Sequence, residues 1–129
     1  MQMAPFRFGP TALTTTTTTN ILNPGTTTGG VLNGATFTSG SYTNLKIILT
    51  HLRVVNKTTQ AATVSLWLGL TGANTSGTEF AWQGYSVPAD SYVDWYGRVP
   101  LATTDYLVGG AGTATALTIS GEGEVGIAF

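Results

Sequence analysis

Hydrophobic and polar residues alternate with a period of two in several short segments of this chain. In TVSLWLGL, Val64, Leu66 and Leu68 alternate with polar or small residues, the pattern of a strand that buries one face. Trp67 then falls on the opposite face of the strand. We expect a loop to cover Trp67, because large aromatic side chains are mostly buried, and the alternative is that it marks a contact surface.

Two further segments show how such strands are arranged. SYVDWYGRV places Tyr92, Asp94 and Tyr96 on one face. In LKIILTHLRVVN three apolar residues follow one another at positions 47–49, which indicates a strand buried on both faces or one with a bulge. The turn residues NKTTQAA that follow predict a hairpin between this strand and the strand of Val64.

The pattern as a whole predicts an all-β protein, an antiparallel β-sandwich of jelly-roll-like type. No segment longer than about ten residues has the three-and-four spacing of an amphipathic helix, while β-branched and aromatic residues dominate the apolar segments. Turn residues separate the segments. The predicted strands lie near residues 11–18, 21–23, 31–38, 44–56, 62–70, 79–85, 91–98, 104–109, 114–120 and 123–129.

The first thirty residues differ in character from the rest. They contain a threonine tract and a strong turn signal at Asn23-Pro24-Gly25. Threonine favours extended backbone, but such a segment has little apolar surface of its own to bury. We therefore predict an extended Thr-rich arm or edge strand over residues 1–30 and a β-sandwich domain over residues 31–129. An arm would leave Phe6 and Phe8 free to insert into a neighbouring subunit.

Composition limits the classes of partner. Only 9% of the residues are charged, against about 25% in an average protein, and the net charge is -1. Such a surface offers no basic stripe for phosphates, so we expect no nucleic-acid partner. No stretch approaches 18 apolar residues and the N-terminus lacks the pattern of an export signal, so we expect no membrane partner either.

Residues that carry enzyme chemistry are scarce. The chain has no Cys and one His, which excludes disulfides, thiolate metal sites and mechanisms that need a pair of histidines. It contains neither a G-x-S-x-G elbow nor a phosphate-binding loop. We interpret His51 as a core or subunit-contact imidazole with one hydrogen bond rather than a catalytic base. We therefore expect no enzymatic activity, no cofactor and no resident metal.

Two pairs of carboxylates leave a weaker possibility open. Asp90 and Asp94 lie four residues apart across a turn and a strand, and Glu122 and Glu124 share one strand face. Either pair could bind Ca²⁺ at a loop, but neither has the dense Asp and Asn spacing of a dedicated calcium loop. Arg98 is expected to pair with Asp94 or to stack on a neighbouring tyrosine.

The C-terminal three-fifths of the chain, residues 54–129, contains the succession VVNKTTQAATVSLWLGLTG, EFAWQGYSVPADSYVDWYGRVPLATTDYLVGG and LTISGEGEVGI. By this succession, and above all by the run DWYGRVPLATTDYLVGG, it resembles small structural proteins of tailed bacteriophages. Residues 1–40 depart from the shared pattern. No binding motif of these proteins is specific enough to transfer functional residues to this chain.

The resemblance implies a non-enzymatic virion component, made in the host cytoplasm, most simply a capsid decoration or cement protein. Its partners would be the major capsid protein or other virion proteins, and it would form a homo-oligomer, with a trimer favoured. The alternatives are a neck or tail accessory protein, or a carbohydrate-binding module at the tail tip that uses its tryptophans as stacking platforms. The candidate assembly contacts are Phe6, Phe8, Thr15, Thr16, Thr17 and Trp67.

Overall fold

The computed structural model describes residues 3–24, 45–69, 73–102 and 104–127. These residues form strands and turns without a helix, so no helix long and apolar enough to cross a membrane occurs among them. The strands are β1 (Met3–Ala12), β2 (Asn20–Leu22), β3 (Leu45–Asn56), β4 (Ala62–Gly69), β5 (Tyr85–Val87), β6 (Ser91–Leu101), β7 (Tyr106–Ala111) and β8 (Leu117–Ile127).

The strands form two antiparallel sheets of four. The first sheet has the order β1-β8-β3-β6 and the second has the order β2-β7-β4-β5. Sequence neighbours mostly lie in opposite sheets, and the N-terminal strand β1 pairs with the C-terminal strand β8. This interleaved order of eight strands is that of a jelly roll, so the predicted fold class is confirmed.

A single apolar core fills the space between the sheets. On β3, Ile47 and Leu49 point inward, and after a register shift between Leu49 and His51 the inward positions continue at Leu52 and Val54. The shift accounts for the broken alternation in the sequence of β3, because an irregularity of this kind changes which positions face the core. Ile48, in the middle of the apolar run, is only half-buried.

The N-terminal segment is part of the sandwich rather than an arm. β1 is an edge strand of the first sheet, and β2 is an edge strand of the second. Phe6 and Phe8 are buried in the protein's own core, with their rings 6.2 Å apart. Phe8 lies over Gly121, where a Cβ atom would come within 2.5 Å of the ring. The edge-strand alternative therefore describes residues 3–12, while the predicted boundary after residue 30 lies outside the described residues.

The predicted hairpin between the strand of His51 and the strand of Val64 is wrong. β3 belongs to the first sheet and β4 to the second, so the connection crosses from one sheet to the other. Buried Asn56 ends β3 there: its amide donates hydrogen bonds to the carbonyls of Gln60 (2.8 Å) and Val87 (3.0 Å). Its side-chain oxygen accepts from the backbone N–H of Thr58 at 3.0 Å. Asn56 therefore ties the crossing loop to β5.

Several predicted strand boundaries also differ from the structure. The segment 13–19 is a loop, most of 79–84 consists of bends and turns around an isolated bridge, and the two C-terminal strands are one strand, β8. Threonine propensity misled the first assignment, because the tract forms a turn with its own hydrogen bonds, among them Thr16 N–H to Thr14 Oγ1 and Thr19 Oγ1 to the Thr16 carbonyl, instead of a strand ladder. The predicted strand at 31–38 lies outside the described residues.

Candidate functional site

Charged side chains gather on the outer face of the first sheet. The whole chain has five Lys and Arg and six Asp and Glu, and six of these eleven lie there together with the single histidine. We call this surface the charged face. Its members are Arg7 on β1, His51 and Arg53 on β3, Asp94 and Arg98 on β6, and Glu122 and Glu124 on β8.

The charged face is built from cross-strand rows. In one row Arg7 lies opposite Glu122, Glu122 opposite His51, and His51 opposite Tyr96, so that all four strands of the sheet contribute one side chain. Side chains directly opposite each other on antiparallel strands have Cβ atoms about 4.5–5.5 Å apart, close enough for direct contact. The row therefore joins residues that are up to 115 positions apart in sequence, from 7 to 122.

An ion pair anchors the next row. The Arg53 guanidinium donates from Nε to Asp94 Oδ1 at 2.8 Å and from Nη2 to Asp94 Oδ2 at 3.2 Å, a bidentate pair. The guanidinium also lies 4.3 Å from the centre of the Tyr92 ring. The hydrogen bonds from Arg53, assisted by one from His51, hold the pKa of Asp94 below its usual range, although partial burial opposes this. Asp94 therefore remains a carboxylate into acidic solution.

His51 links two carboxylates. Its Nε2 lies 2.8 Å from Asp94 Oδ1 and its Nδ1 lies 3.1 Å from Glu122 Oε1. A carboxylate only accepts hydrogen bonds, so both contacts are hydrogen bonds at the same time only when both ring nitrogens carry a proton. The Tyr96 ring stacks on the imidazole at 4.7 Å with an interplanar angle of 18°. His51 is therefore a half-buried surface residue with two partners, not a core imidazole with one.

Exposed tyrosines flank this network. Tyr96 is 71% exposed and Tyr92 is 54% exposed, both on the charged face. The third large hydrophobic side chain that is exposed among the described residues, Tyr85, lies on β5 of the second sheet. Arginine and tyrosine are enriched in the parts of protein–protein interfaces that contribute most to binding. The three arginines and two tyrosines of the charged face are therefore residue types that interfaces favour, whereas its Asp and Glu are less common in interface cores.

The tryptophans, by contrast, are covered. Trp67 is 6% exposed, so the expectation that it is covered is confirmed, and its backbone forms a β-bridge to Glu79. Trp82 and Trp95 are partly buried against the core, and Trp95 packs edge-on against Phe80 at 4.9 Å. A carbohydrate platform made of these three tryptophans is therefore not present on one exposed face.

The hollow that the described residues form on the charged face is small. A hollow of about 250 Å³ lies between Arg7, Arg53, Ser120 and Glu122, below the roughly 300–1,000 Å³ typical of small-molecule sites. Both nitrogens of His51, which also lines the hollow, contact carboxylates. Among the described residues, no group of three or more His, Asp or Glu is arranged to hold a metal ion. The surface is better shaped for a broad contact than for a small ligand.

The predicted assembly contacts lie elsewhere. Phe6 and Phe8 are core residues, and their rings cover the inner side of β8. They cannot insert into a neighbouring subunit unless β1 unfolds. Trp67 is buried.

The threonine tract folds against the second sheet. The carbonyl of Thr14 accepts a hydrogen bond from the Ala111 N–H at 2.8 Å, and the carbonyl of Thr19 accepts one from the Gly109 N–H at 3.2 Å. Thr17 accepts a bond at 2.8 Å from the side-chain amide of Asn74. Thr15 and Thr16 are exposed on this loop. The tract is thus fixed at both ends to β7, away from the charged face.

Sequence reasoning found parts of the charged face without joining them. The shared face of Tyr92, Asp94 and Tyr96 was predicted correctly by their alternation. The partner of Asp94 is Arg53, however, and Arg98 instead lies 3.9 Å from Glu124. The available signal was the polar side of each strand, but only the strand order places those sides next to one another.

Comparison with known proteins adds no further assignment: no protein-family model, curated protein or solved structure matches this chain.

Proposed function

We propose that this protein is a non-enzymatic virion structural protein of a tailed bacteriophage. In this role it acts as a decoration or cement protein that binds the outer surface of the head and stabilises it. The sequence of residues 54–129, which resembles such proteins, supports the proposal. So does the jelly-roll fold, an architecture that occurs in viral capsid proteins as well as in lectins and other proteins.

The observation that carries the proposal is the charged face. In a protein with so few charges, the folded state places most of them, with two exposed tyrosines, on one side of one sheet. The core does not require this arrangement, because outward positions of a sheet tolerate Thr, Ser or Asn. Mixed charges of both signs steer and orient a partner, and the tyrosines supply rigid contact area. We therefore assign the head-binding surface to the charged face.

The test uses heads of the phage that encodes this chain, prepared without the protein. Wild-type protein is mixed with the heads, and bound protein is measured by co-sedimentation over a range of concentrations. Substituting Tyr96→Ala should weaken binding at least tenfold, about 1.4 kcal/mol. The matched control is Tyr85→Ala, which removes an exposed tyrosine from the other sheet and should leave affinity unchanged.

The outcomes separate the candidate roles. Binding to heads that is lost with Tyr96→Ala and kept with Tyr85→Ala supports the proposal, as does a higher temperature of DNA release from decorated heads. Binding to tails or necks instead of heads would move the protein to the accessory role. Saturable binding to soluble glycans, without binding to any virion part, would replace the proposal with a carbohydrate-binding one that uses Tyr92 and Tyr96.

A further inference from the structure

The four edges of the two sheets are protected to very different degrees. β2 and β5, at the edges of the second sheet, have three residues each. β1 carries Pro5 and Pro10, which have no N–H to donate, and its register shifts between Phe8 and Thr11. β6 has 11 residues, a single proline, Pro100, next to its last residue, and a register shift against β3 at Gly97 and Arg98. Natural sheets rarely leave one side of such a long edge strand unpaired, because its free N–H and C=O groups can form hydrogen bonds with a strand of another chain.

Among the described strands, β6 pairs with β3 alone. Within the described part of the chain, its ladder runs to β3, and no other backbone hydrogen bond involves residues 91–101. Its core-side residues Val93, Trp95 and Val99 are only partly buried against the core. An added strand would cover these side chains and satisfy the outer backbone groups of β6 together.

Faces alternate along the whole of β6, which an added strand requires. Tyr92, Asp94 and Tyr96 point outward, and Arg98 reaches the outward Glu124. The ring of Trp95 lies over the core side of Gly97, where a Cβ would come within 2.6 Å of it. Against β3, β6 has one extra residue at Gly97 and Arg98, since Leu49 lies opposite Val99 and His51 opposite Tyr96. Tyr96 stays outward and Val99 stays on the core side across this bulge.

We propose that the free edge of β6 pairs with β6 of a second copy of this chain, antiparallel and related by a two-fold axis at Tyr96. Each residue then lies opposite the residue equally distant from Tyr96 on the other copy. Two four-stranded sheets become one continuous eight-stranded sheet, and the two charged faces lie side by side on the same surface.

Charge complementarity selects this register. Asp94 lies opposite the partner's Arg98, and by symmetry Arg98 lies opposite the partner's Asp94, so each dimer has two opposite-charge pairs. A shift of the two-fold axis to position 94 would instead place the two Asp94 carboxylates against each other, and a shift to position 98 would oppose the two Arg98 side chains. Asp94 uses three acceptor positions for Arg53 and His51, which leaves room for a further donor.

Side-chain size agrees with the same register on the core side. Val93 lies opposite the partner's Val99, which brings two half-covered apolar side chains together. Trp95 lies opposite the partner's Gly97, so a large ring meets a residue with no side chain. A two-fold pair of this kind is a dimer, whereas the trimer implied by the resemblance would use another surface.

Disulfide trapping tests the pairing directly, because the chain contains no cysteine. With Tyr96→Cys, the new thiols lie opposite each other, and the Cα separation of directly opposed residues, about 4.5–5.5 Å, is within the range that disulfides span. We expect most of this variant to become a covalent dimer under mild oxidation. The matched control is Tyr92→Cys, on the same face of the same strand, whose thiols would lie eight residues apart, about 27 Å.

The result is read on non-reducing gels and by light scattering, with circular dichroism to confirm that both variants keep the β fold. Fast cross-linking of Tyr96→Cys and only slow cross-linking of Tyr92→Cys supports the proposal. Equal rates for the two variants, or a faster rate for Tyr92→Cys, would overturn it. The experiment needs no phage heads, so its outcome is independent of the proposed function.

Discussion

At the scale of single residues, the few charged side chains of the charged face hold one another in defined conformations. Asp94 receives hydrogen bonds from Arg53 and His51, and His51 also contacts Glu122, so one carboxylate organises side chains from three strands. Each of these side chains restricts the rotamers of its neighbour, so less side-chain conformational entropy is lost when a partner binds. A surface of isolated lysines and glutamates would not be preorganised in this way.

The ion pair gives stability a defined dependence on pH. Because the pKa of Asp94 is lower in the folded protein than in the unfolded chain, its contribution is complete above the unfolded value of about 3.9. That contribution is lost as the pH falls through the lower pKa of the folded state. In Asp94→Asn the free energy of unfolding should therefore be below wild type at pH 7, and the difference should shrink towards pH 3. Urea unfolding at several pH values measures it, and a constant difference would contradict the assignment.

The burial of Phe8, which is 2% exposed, leads to a second prediction. Phe8→Ala should lower the free energy of unfolding by about 3–5 kcal/mol, because it leaves a cavity over Gly121. The matched control is Arg7→Ala on the outer side of the same strand, with a change within about 0.5 kcal/mol. If Phe8 instead packed in a neighbouring subunit, its effect on unfolding would depend on protein concentration.

At the scale of elements, the connections between strands determine how the chain crosses from one sheet to the other. β3 and β4 follow each other in sequence but belong to different sheets, so the loop between them spans the core. Asn56 fixes this loop with side-chain bonds that replace a regular turn. The threonine loop between β1 and β2 crosses between the sheets as well, held by bonds to β7. Side-chain hydrogen bonds thus direct the chain where no strand pairing does.

Removing the Asn56 amide should therefore be costly. Asn56→Ala removes the donor of the buried bond to the Val87 carbonyl and one of the two donors to the Gln60 carbonyl, which also accepts from Thr58 Oγ1, so about 1–3 kcal/mol of stability should be lost. Asn74→Ala serves as control, because Asn74 is exposed and should change stability by less than about 0.5 kcal/mol. Thermal and urea unfolding measure both variants. Equal stabilities of the two variants would show that the Asn56 bonds do not hold the crossing.

At the scale of the whole molecule, neither sheet can form alone. The chain passes repeatedly between the sheets, and the first sheet contains both the N-terminal and the C-terminal strand. Every sheet therefore depends on contacts between residues distant in sequence, and a break in one element exposes the common core. This topology makes the sandwich a single cooperative unit.

Tryptophan fluorescence can test this cooperativity sheet by sheet. Trp67 lies on β4 of the second sheet and Trp95 on β6 of the first. Each variant keeps one of these tryptophans and has the other tryptophans changed to Phe. Within each variant, the unfolding midpoint measured by fluorescence should equal the midpoint measured by circular dichroism. Different midpoints for the two probes within a variant would show that the sheets unfold separately.

The sequence by itself determined the fold class and much of the residue-level pattern. Alternation with a period of two depends only on the geometry of a strand, so the inward Val64 and Leu66 and the outward Tyr92, Asp94 and Tyr96 were predictable. Composition likewise indicated a surface poor in charge. These features are local, or are sums over the chain, and need no knowledge of which strands are neighbours.

Only the tertiary structure decided which strands are neighbours, and with them the site. Arg7, Arg53, Asp94 and Glu122 come from four strands, and their sequence positions carry no signal that they meet. The tertiary structure also pairs β1 with β8 at the edge of the first sheet, which places Phe6 and Phe8 in the core. The threonine tract that follows β1 then forms the loop that leads to the second sheet. Strand order is set by the burial of the whole core at once, a property that no segment of the sequence possesses alone.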